Sequence, residues 1–341
     1  MSKRIVCFGE IMLRLAPPGY LRFEQAQSFD VVYGGGEANV AVSLANYGLD
    51  ACFVTKVPAN PIGQAAINEM RRYGVDSRFM QKGGDRLGIY FLEKGASQRP
   101  SKVVYDRKFS AISQAQKADF DWQAIFAGAD WFHFTGITPA LGDNVAEAVL
   151  EACRAAKAAG LTVSCDLNFR KNLWSSEKAG KVMATFMPNV DVCIANEEDA
   201  EKVFGIRAAD SDTTGGVLSH EGYKTVAWQL KDRFGFQVVA ITLRGSVSAS
   251  DNNWAAMLYK NREYYFSRNY PVHIVDRVGG GDAFAGGLIY ASLNGYGDQD
   301  ALEFAVAASC LKHSIEGDEN HVTVDEVKTL MAGDASGRVQ R

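Results

Sequence analysis

Short apolar runs alternate along this chain with longer stretches whose apolar positions recur at helical spacing. Residues 5–8 form the first run and stop at Gly9, and residues 37–47 then place Val40, Leu44 and Tyr47 on one helical face before Gly48. Segments 51–57, 131–135, 161–166, 190–195 and 238–243 predict further strands, and 62–73, 144–159, 177–186, 223–234 and 283–293 predict helices. A strand that reaches its neighbour through a helix must run parallel to it, so the alternation predicts an α/β fold with a mostly parallel sheet covered on both faces.

Two segments break the rhythm. Residues 12–33 carry Pro17, Pro18 and Gly19 between extended runs, and residues 88–108 set Ile89, Phe91, Val103 and Val104 around a polar loop. Both follow early strand–helix units, which predicts a small antiparallel sheet standing off the main domain. As a lid it would cover the C-terminal edge of the main sheet, where α/β folds bind ligands. Residues 1–331 read as one domain with these insertions, and 332–341, rich in Gly, Ser and Arg, as a frayed tail.

Charge narrows the partners. Lys and Arg number 36 against 40 Asp and Glu among 341 residues, a net −4 with no basic run, which speaks against nucleic acid and anionic membranes. The six cysteines form no C-x-x-C pair and read as reduced thiols of a cytoplasmic protein. Glu10 and Arg14 interrupt the first apolar stretch too early for a leader, and no run approaches the ~18 apolar residues of a membrane span. The five histidines have no ligand-like spacing and read as structural.

Two glycine clusters carry the chemistry. Gly34-Gly35-Gly36 precedes the first long helix with Asn39 just inside it, and Gly279-Gly280-Gly281-Asp282 opens a late one. Neither completes G-x-G-x-x-G and no G-x-x-x-x-G-K-[ST] occurs, which excludes a P-loop and disfavours a dinucleotide fold. Glycines before a helix leave N–H groups converging at the positive end of its dipole, a ready anion hole. A carboxylate beside such a hole is what phosphoryl transfer from ATP to an alcohol requires, with Asp282 deprotonating the hydroxyl. The plainer alternative is a glycine turn with Asp282 as a helix cap.

The string Asp276-Arg277-Val278-Gly279-Gly280-Gly281-Asp282-Ala283-Phe284-Ala285-Gly286-Gly287 resembles the C-terminal signature of ribokinase-like (PfkB) sugar kinases, D-x-V-G-A-G-D-x-F-x-G-G. Gly280 replaces the usual Ala, which reads as a conservative change. The first cluster, with Asn39 and Ala41, resembles the family's N-terminal signature G-G-x-x-x-N-x-A. The resemblance implies a three-layer α/β/α domain with a β-sheet lid. It also implies ATP and Mg²⁺ as cofactors and a homo-oligomer formed through the lid, and leaves a monovalent-cation requirement open.

Residues 22–41 look most like those of 2-keto-3-deoxygluconate kinases, Glu37 included. Residues 10–13 offer no Asp of the kind that ribokinases set after the first strand. By the same resemblance, Gly34, Gly35, Asn39, Tyr90, Tyr105, Arg107, Arg170, Asp282 and Asp318 bind substrate, the two arginines clamping a sugar carboxylate with their planar forks. Gly279, Gly280 and Gly281 form the anion hole. Asn168, Asn196, Thr242, Arg244, Gly245, Ser246, Gly279 and Gly281 face the nucleotide, although Arg244 stands where the family has Gly. Asn196-Glu197-Glu198-Asp199 resembles the family's N-x-x-E, which implies that Asp199, one methylene shorter than the usual Glu, organises Mg²⁺ through water, with Glu197 or Glu198 as alternatives that share the task. The expected reaction is phosphorylation of 2-keto-3-deoxy-D-gluconate on its 6-hydroxyl. The alternatives are a kinase of fructose, ribose or adenosine, or an inactive sugar-binding regulator.

Overall fold

The computed structural model describes residues 3–207 and 220–334. Its strands are β1 (Arg4–Phe8), β2 (Met12–Ala16), β3 (Asp30–Gly34), β4 (Asp50–Val57), β5 (Met80–Lys82), β6 (Gly88–Glu93) and β7 (Lys102–Asp106), followed by β8 (Trp131–Thr135), β9 (Thr162–Asp166), β10 (Val192–Asn196), β11 (Val238–Ser246), β12 (Asp251–Lys260), β13 (Glu263–Phe266) and β14 (Tyr270–His273). The helices are α1 (Gly36–Asn46), α2 (Pro61–Arg72), α3 (Trp122–Ile125), α4 (Ile137–Ala140), α5 (Asp143–Ala158), α6 (Ser176–Phe186), α7 (Glu197–Phe204), α8 (His220–Phe234), α9 (Gly280–Leu293), α10 (Asp298–Lys312) and α11 (Val324–Met331).

The large sheet runs β13-β12-β11-β10-β9-β8-β1-β4-β5, with β14 also paired to β12. It is parallel from β11 to β5. Its middle strands are apolar on both sides because helices cover both. In β1, Ile5 and Cys7 point into one core with Phe284 and Leu302, while Val6 and Phe8 point into the other with Phe132, Val149 and Met183. The edge β11-β12-β13 is antiparallel. Sequence reading passed over β12, β13 and β14, because a hairpin edge lacks the strand–helix rhythm that betrays the rest.

The two insertions do form a separate four-stranded sheet, ordered β3-β2-β6-β7. It is mixed rather than antiparallel, since β2 and β6 pair parallel between two antiparallel hairpins. The cause lies in the main sheet. The chain enters each hairpin from β1 or β5, parallel strands that deliver it in the same direction.

All six cysteines are unpaired thiols. Among the described residues no helix is long and apolar enough to cross a membrane. The tail expected to fray from 332 lies outside the described residues from 335 onward.

Candidate active site

Two positions of the first glycine cluster leave no room for a side chain, and the third stands beside Asp282. A Cβ on Gly34 would lie 2.4 Å from Oδ2 of Asp318, and one on Gly35 only 1.9 Å from the Glu10 carbonyl oxygen. One on Gly36 would stand 3.6 Å from Oδ1 of Asp282. Strand β3 and helix α1 therefore thread between the two acidic residues singled out near the C-terminus, and bring Asn39 against one of them.

At the second cluster, Gly279 caps α9 in the left-handed region at φ +83°. A Cβ there would meet the Asp318 carbonyl oxygen at 1.9 Å, so position 279 must be glycine on both counts. Asp282 lies in the first turn of α9, three residues past the capping position, which Gly279 holds. It accepts a hydrogen bond from Nδ2 of Asn39 at 2.7 Å. Burial pushes its carboxyl up to about 6, while the Asn39 N–H favours the ionised form. Nothing stands within 4 Å of a Cβ on Gly281, so this side of the turn is open.

Gly280 corrects an expectation. A Cβ there would lie 2.6 Å from Cε1 of His313. That ring is held by a 2.6 Å hydrogen bond to the Ser309 carbonyl and packs on Trp254 at 4.9 Å. Alanine is thus no conservative exchange in this chain.

The two arginines differ. Arg107 is buried, pairs with Glu10 and lies 5.4 Å over the half-exposed ring of Tyr105. Glu10, which offered nothing on sequence grounds, is a buried carboxylate that holds this arginine. Arg170 is exposed just beyond β9, and its charge favours ionisation of Asp166, Asp199 and Asp282. The Tyr90 hydroxyl is buried and donates to Asp318, so it is already engaged. Asp318 also accepts from Arg14 at 2.6 Å, and Arg14 reaches Asp276 at 2.5 Å. Through this buried arginine, β2 of the small sheet is tied to the loop that leads into the anion hole. Glu37 is buried, accepting from the Thr135 N–H at 2.8 Å and the Thr138 hydroxyl at 2.6 Å.

Thr242, Arg244, Gly245 and Ser246 continue β11 into a hairpin, with Arg244 opposite Trp254 and Gly245 opposite Asn253. The guanidinium of Arg244 lies 5.6 Å over the Trp254 ring. Burial and the charge of Arg244 hold Arg277 below its ordinary range, and burial with the nearby cations brings His313 to about 4. This side of the anion hole is therefore rich in positive charge. Asn196 caps α7 by accepting from the Asp199 N–H at 2.8 Å, and Asp199 accepts from the Phe169 N–H at 2.9 Å. Asn168 takes a left-handed φ of +36° and donates its N–H to Asp166 at 3.1 Å. Burial pushes Asp199 up to about 6, and burial with the charges of Asp199 and Asp282 pushes Asp166 up as well. Among the described residues no three acidic, His or Cys side chains converge as a direct metal cage.

Residues 2–323 match the family described as pfkB family carbohydrate kinase. The chain is 33% identical over 337 residues to the 2-dehydro-3-deoxygalactonokinase of Haloferax volcanii, covering 99% of each. A crystal structure of a 2-dehydro-3-deoxygluconokinase from Thermotoga maritima superposes with a TM-score of 0.94 at 53% identity, covering 98% of this chain and 99% of that one. A PfkB family carbohydrate kinase from Listeria grayi superposes with a TM-score of 0.90 at 35% identity, covering 97% and 100%. A first-turn carboxylate at a glycine-lined helix start sits on a fold and a family match that run along nearly the whole chain, and the protein is a member of the pfkB family of carbohydrate kinases.

Proposed function

We propose that the protein transfers the γ-phosphoryl group of ATP to the 6-hydroxyl of 2-keto-3-deoxy-D-gluconate. The observation that carries this reading is the state of Asp282, half-buried in the first turn of α9 and steadied by Asn39 at the mouth of the anion hole. Its carboxylate takes the hydroxyl proton as the sugar oxygen attacks the γ-phosphorus and ADP leaves. The N–H groups of Gly279 and Gly281 take up charge on the phosphoryl oxygens, whereas that of Gly280 donates to the Arg277 carbonyl at 3.3 Å and shapes the turn. Arg244 and Arg277 supply cations on the nucleotide side.

Asp166 and Asp199 are buried carboxylates, and the charge of Asp199 raises the proton affinity of Asp166, an arrangement that suits a hydrated Mg²⁺ held through water. When bound with ATP, that ion neutralises phosphate charge. Two features favour an acidic sugar over a neutral one. Both relatives named for a substrate act on 2-keto-3-deoxy acids, and Arg170 remains an exposed cation within electrostatic reach of Asp282. The galactonate-type acid differs only at C4 and shares the carboxylate that an arginine fork would hold.

A coupled assay of ADP release over 2-keto-3-deoxygluconate, its galactonate epimer, fructose, ribose and adenosine tests the assignment. The highest kcat/KM is expected for 2-keto-3-deoxygluconate. A preference for any neutral substrate overturns it.

A further inference from the structure

Behind the anion hole lies a side chain that the reaction as described does not use. Lys312, the last residue of α10, is completely buried. Its ammonium donates to the carbonyl oxygens of Gly317 at 2.6 Å, Ile315 at 3.1 Å and Asp276 at 3.3 Å. A lysine ammonium has three protons, and three backbone carbonyls here receive them. Asp276 leads into the glycine turn, while Ile315 and Gly317 precede Asp318, whose carbonyl abuts Gly279. The Cε of Lys312 is itself 3.3 Å from where a Gly279 Cβ would sit. One buried cation thus joins the two loops that shape the turn.

Convergent backbone carbonyls are the ligands that strip a monovalent cation such as potassium of its water. A monovalent ion behind this turn does not fit here, because Lys312 already fills that place. We infer that Lys312 is a built-in cation that positions the anion hole, making this kinase independent of added monovalent ions. It touches no reacting atom and acts through Gly279 and Asp276. The inference rests on phosphoryl transfer at the glycine turn, not on which sugar is used.

The test compares the wild type, Lys312→Ala and Lys312→Met in choline, sodium, potassium and ammonium chlorides at equal ionic strength. Wild-type kcat is expected to stay within about twofold across the salts. In choline the alanine variant is expected to lose on the order of 10- to 100-fold in kcat, less than the loss of an oxyanion donor itself. Its sugar KM should move little. Potassium or ammonium should restore most of that loss in a saturable way, since the deleted side chain leaves room for an ion. The methionine variant fills the space without charge and should not respond.

Thermal midpoints give a second readout that needs no sugar. Potassium should raise the midpoint of Lys312→Ala but not of the wild type, so an error in the substrate assignment leaves this arm intact. Severalfold potassium activation of the wild type overturns the inference, as does an alanine variant with near-normal kcat in choline. If the alanine variant folds in no salt, the methionine variant and the wild type decide. Reduced kcat at unchanged sugar KM in Lys312→Met, with a salt-indifferent wild type, supports the inference, and normal kcat in Lys312→Met overturns it.

Discussion

Asn39 donates a 2.7 Å hydrogen bond to Asp282 across 243 positions of sequence. It joins the first turn of α1 to the first turn of α9, the two helices opened by glycine clusters. The amide holds in place a carboxylate that burial alone would favour as the neutral acid.

Removal of the base is the first expectation. Asp282→Asn should lower kcat by on the order of 10²–10⁴, the usual size for a lost general base. It should not lower stability at neutral pH. Because the folded pKa is raised, ionising Asp282 costs stability as pH climbs from the ordinary carboxylate range to about 6, and asparagine avoids that cost. Near-normal turnover of a folded Asp282→Asn protein, measured beside its melting curve, sinks the assignment.

The pH profile follows from the same group. A base must be ionised, so kcat/KM for the sugar should rise about tenfold per pH unit below about 6 and flatten above. Asn39→Ala removes the hydrogen bond that favours the carboxylate, and should move this acid limb to higher pH. A limb that stays put in Asn39→Ala means that another group controls it.

Much of this was legible in the sequence, and the misses share a cause. The strand–helix alternation and both glycine clusters are local patterns, and local patterns survive without coordinates. Arg14 and Glu10 escaped because a buried charge is recognised by its partner, and their partners lie far along the chain; Lys312 escaped because its partners are backbone carbonyls, which every residue carries. Only Arg14 left a trace. It shares the buried face of β2 with Met12 and Ala16, an inward charge in a period-two strand. Tyr90 and Arg107, expected to bind substrate, are engaged by Asp318 and Glu10, internal partners that could not be read from spacing. The meaning of Gly280 was hidden for the same reason, since His313 enters from α10.

Gly280→Ala gives that last contact a measurable consequence. Overpacking against a held ring costs roughly 1–3 kcal/mol, and the displaced turn should lower kcat as well. His313→Ala leaves room for the new methyl group, so the double variant should lose less than the sum of the two single losses. Strict additivity in melting and turnover would mean that the ring and the turn do not press on each other.

The small sheet leaves apolar surface in water. Val31 is 58% exposed, Val104 54% and Val103 42%, and every residue of β7 is exposed. Such an edge strand is a template for pairing with another chain. A homodimer packed through these sheets is expected by light scattering at micromolar concentration, and Val104→Glu should shift it toward monomer. A strictly monomeric wild type rules this out.

The carboxylate clamp separates an acidic substrate from a neutral one. Loss of a charge-assisted hydrogen bond costs roughly 1.5–3 kcal/mol, or on the order of 10- to 150-fold in kcat/KM. Arg170→Ala is the cleaner variant. Its side chain is exposed, so melting should hardly change while activity on 2-keto-3-deoxygluconate falls. Arg170→Lys should recover only part, because an ammonium keeps the charge without the fork. Arg107→Ala also strands the buried Glu10 carboxylate, so it should lower both activity and the melting temperature. In both variants the weak turnover of an analogue lacking the carboxylate should be spared relative to the acid, which a comparison of kcat/KM on the two substrates reads directly. Equal losses on acidic and neutral sugars would instead assign the arginines to ATP or to the small sheet, and the keto-acid reading would lose its main physical support.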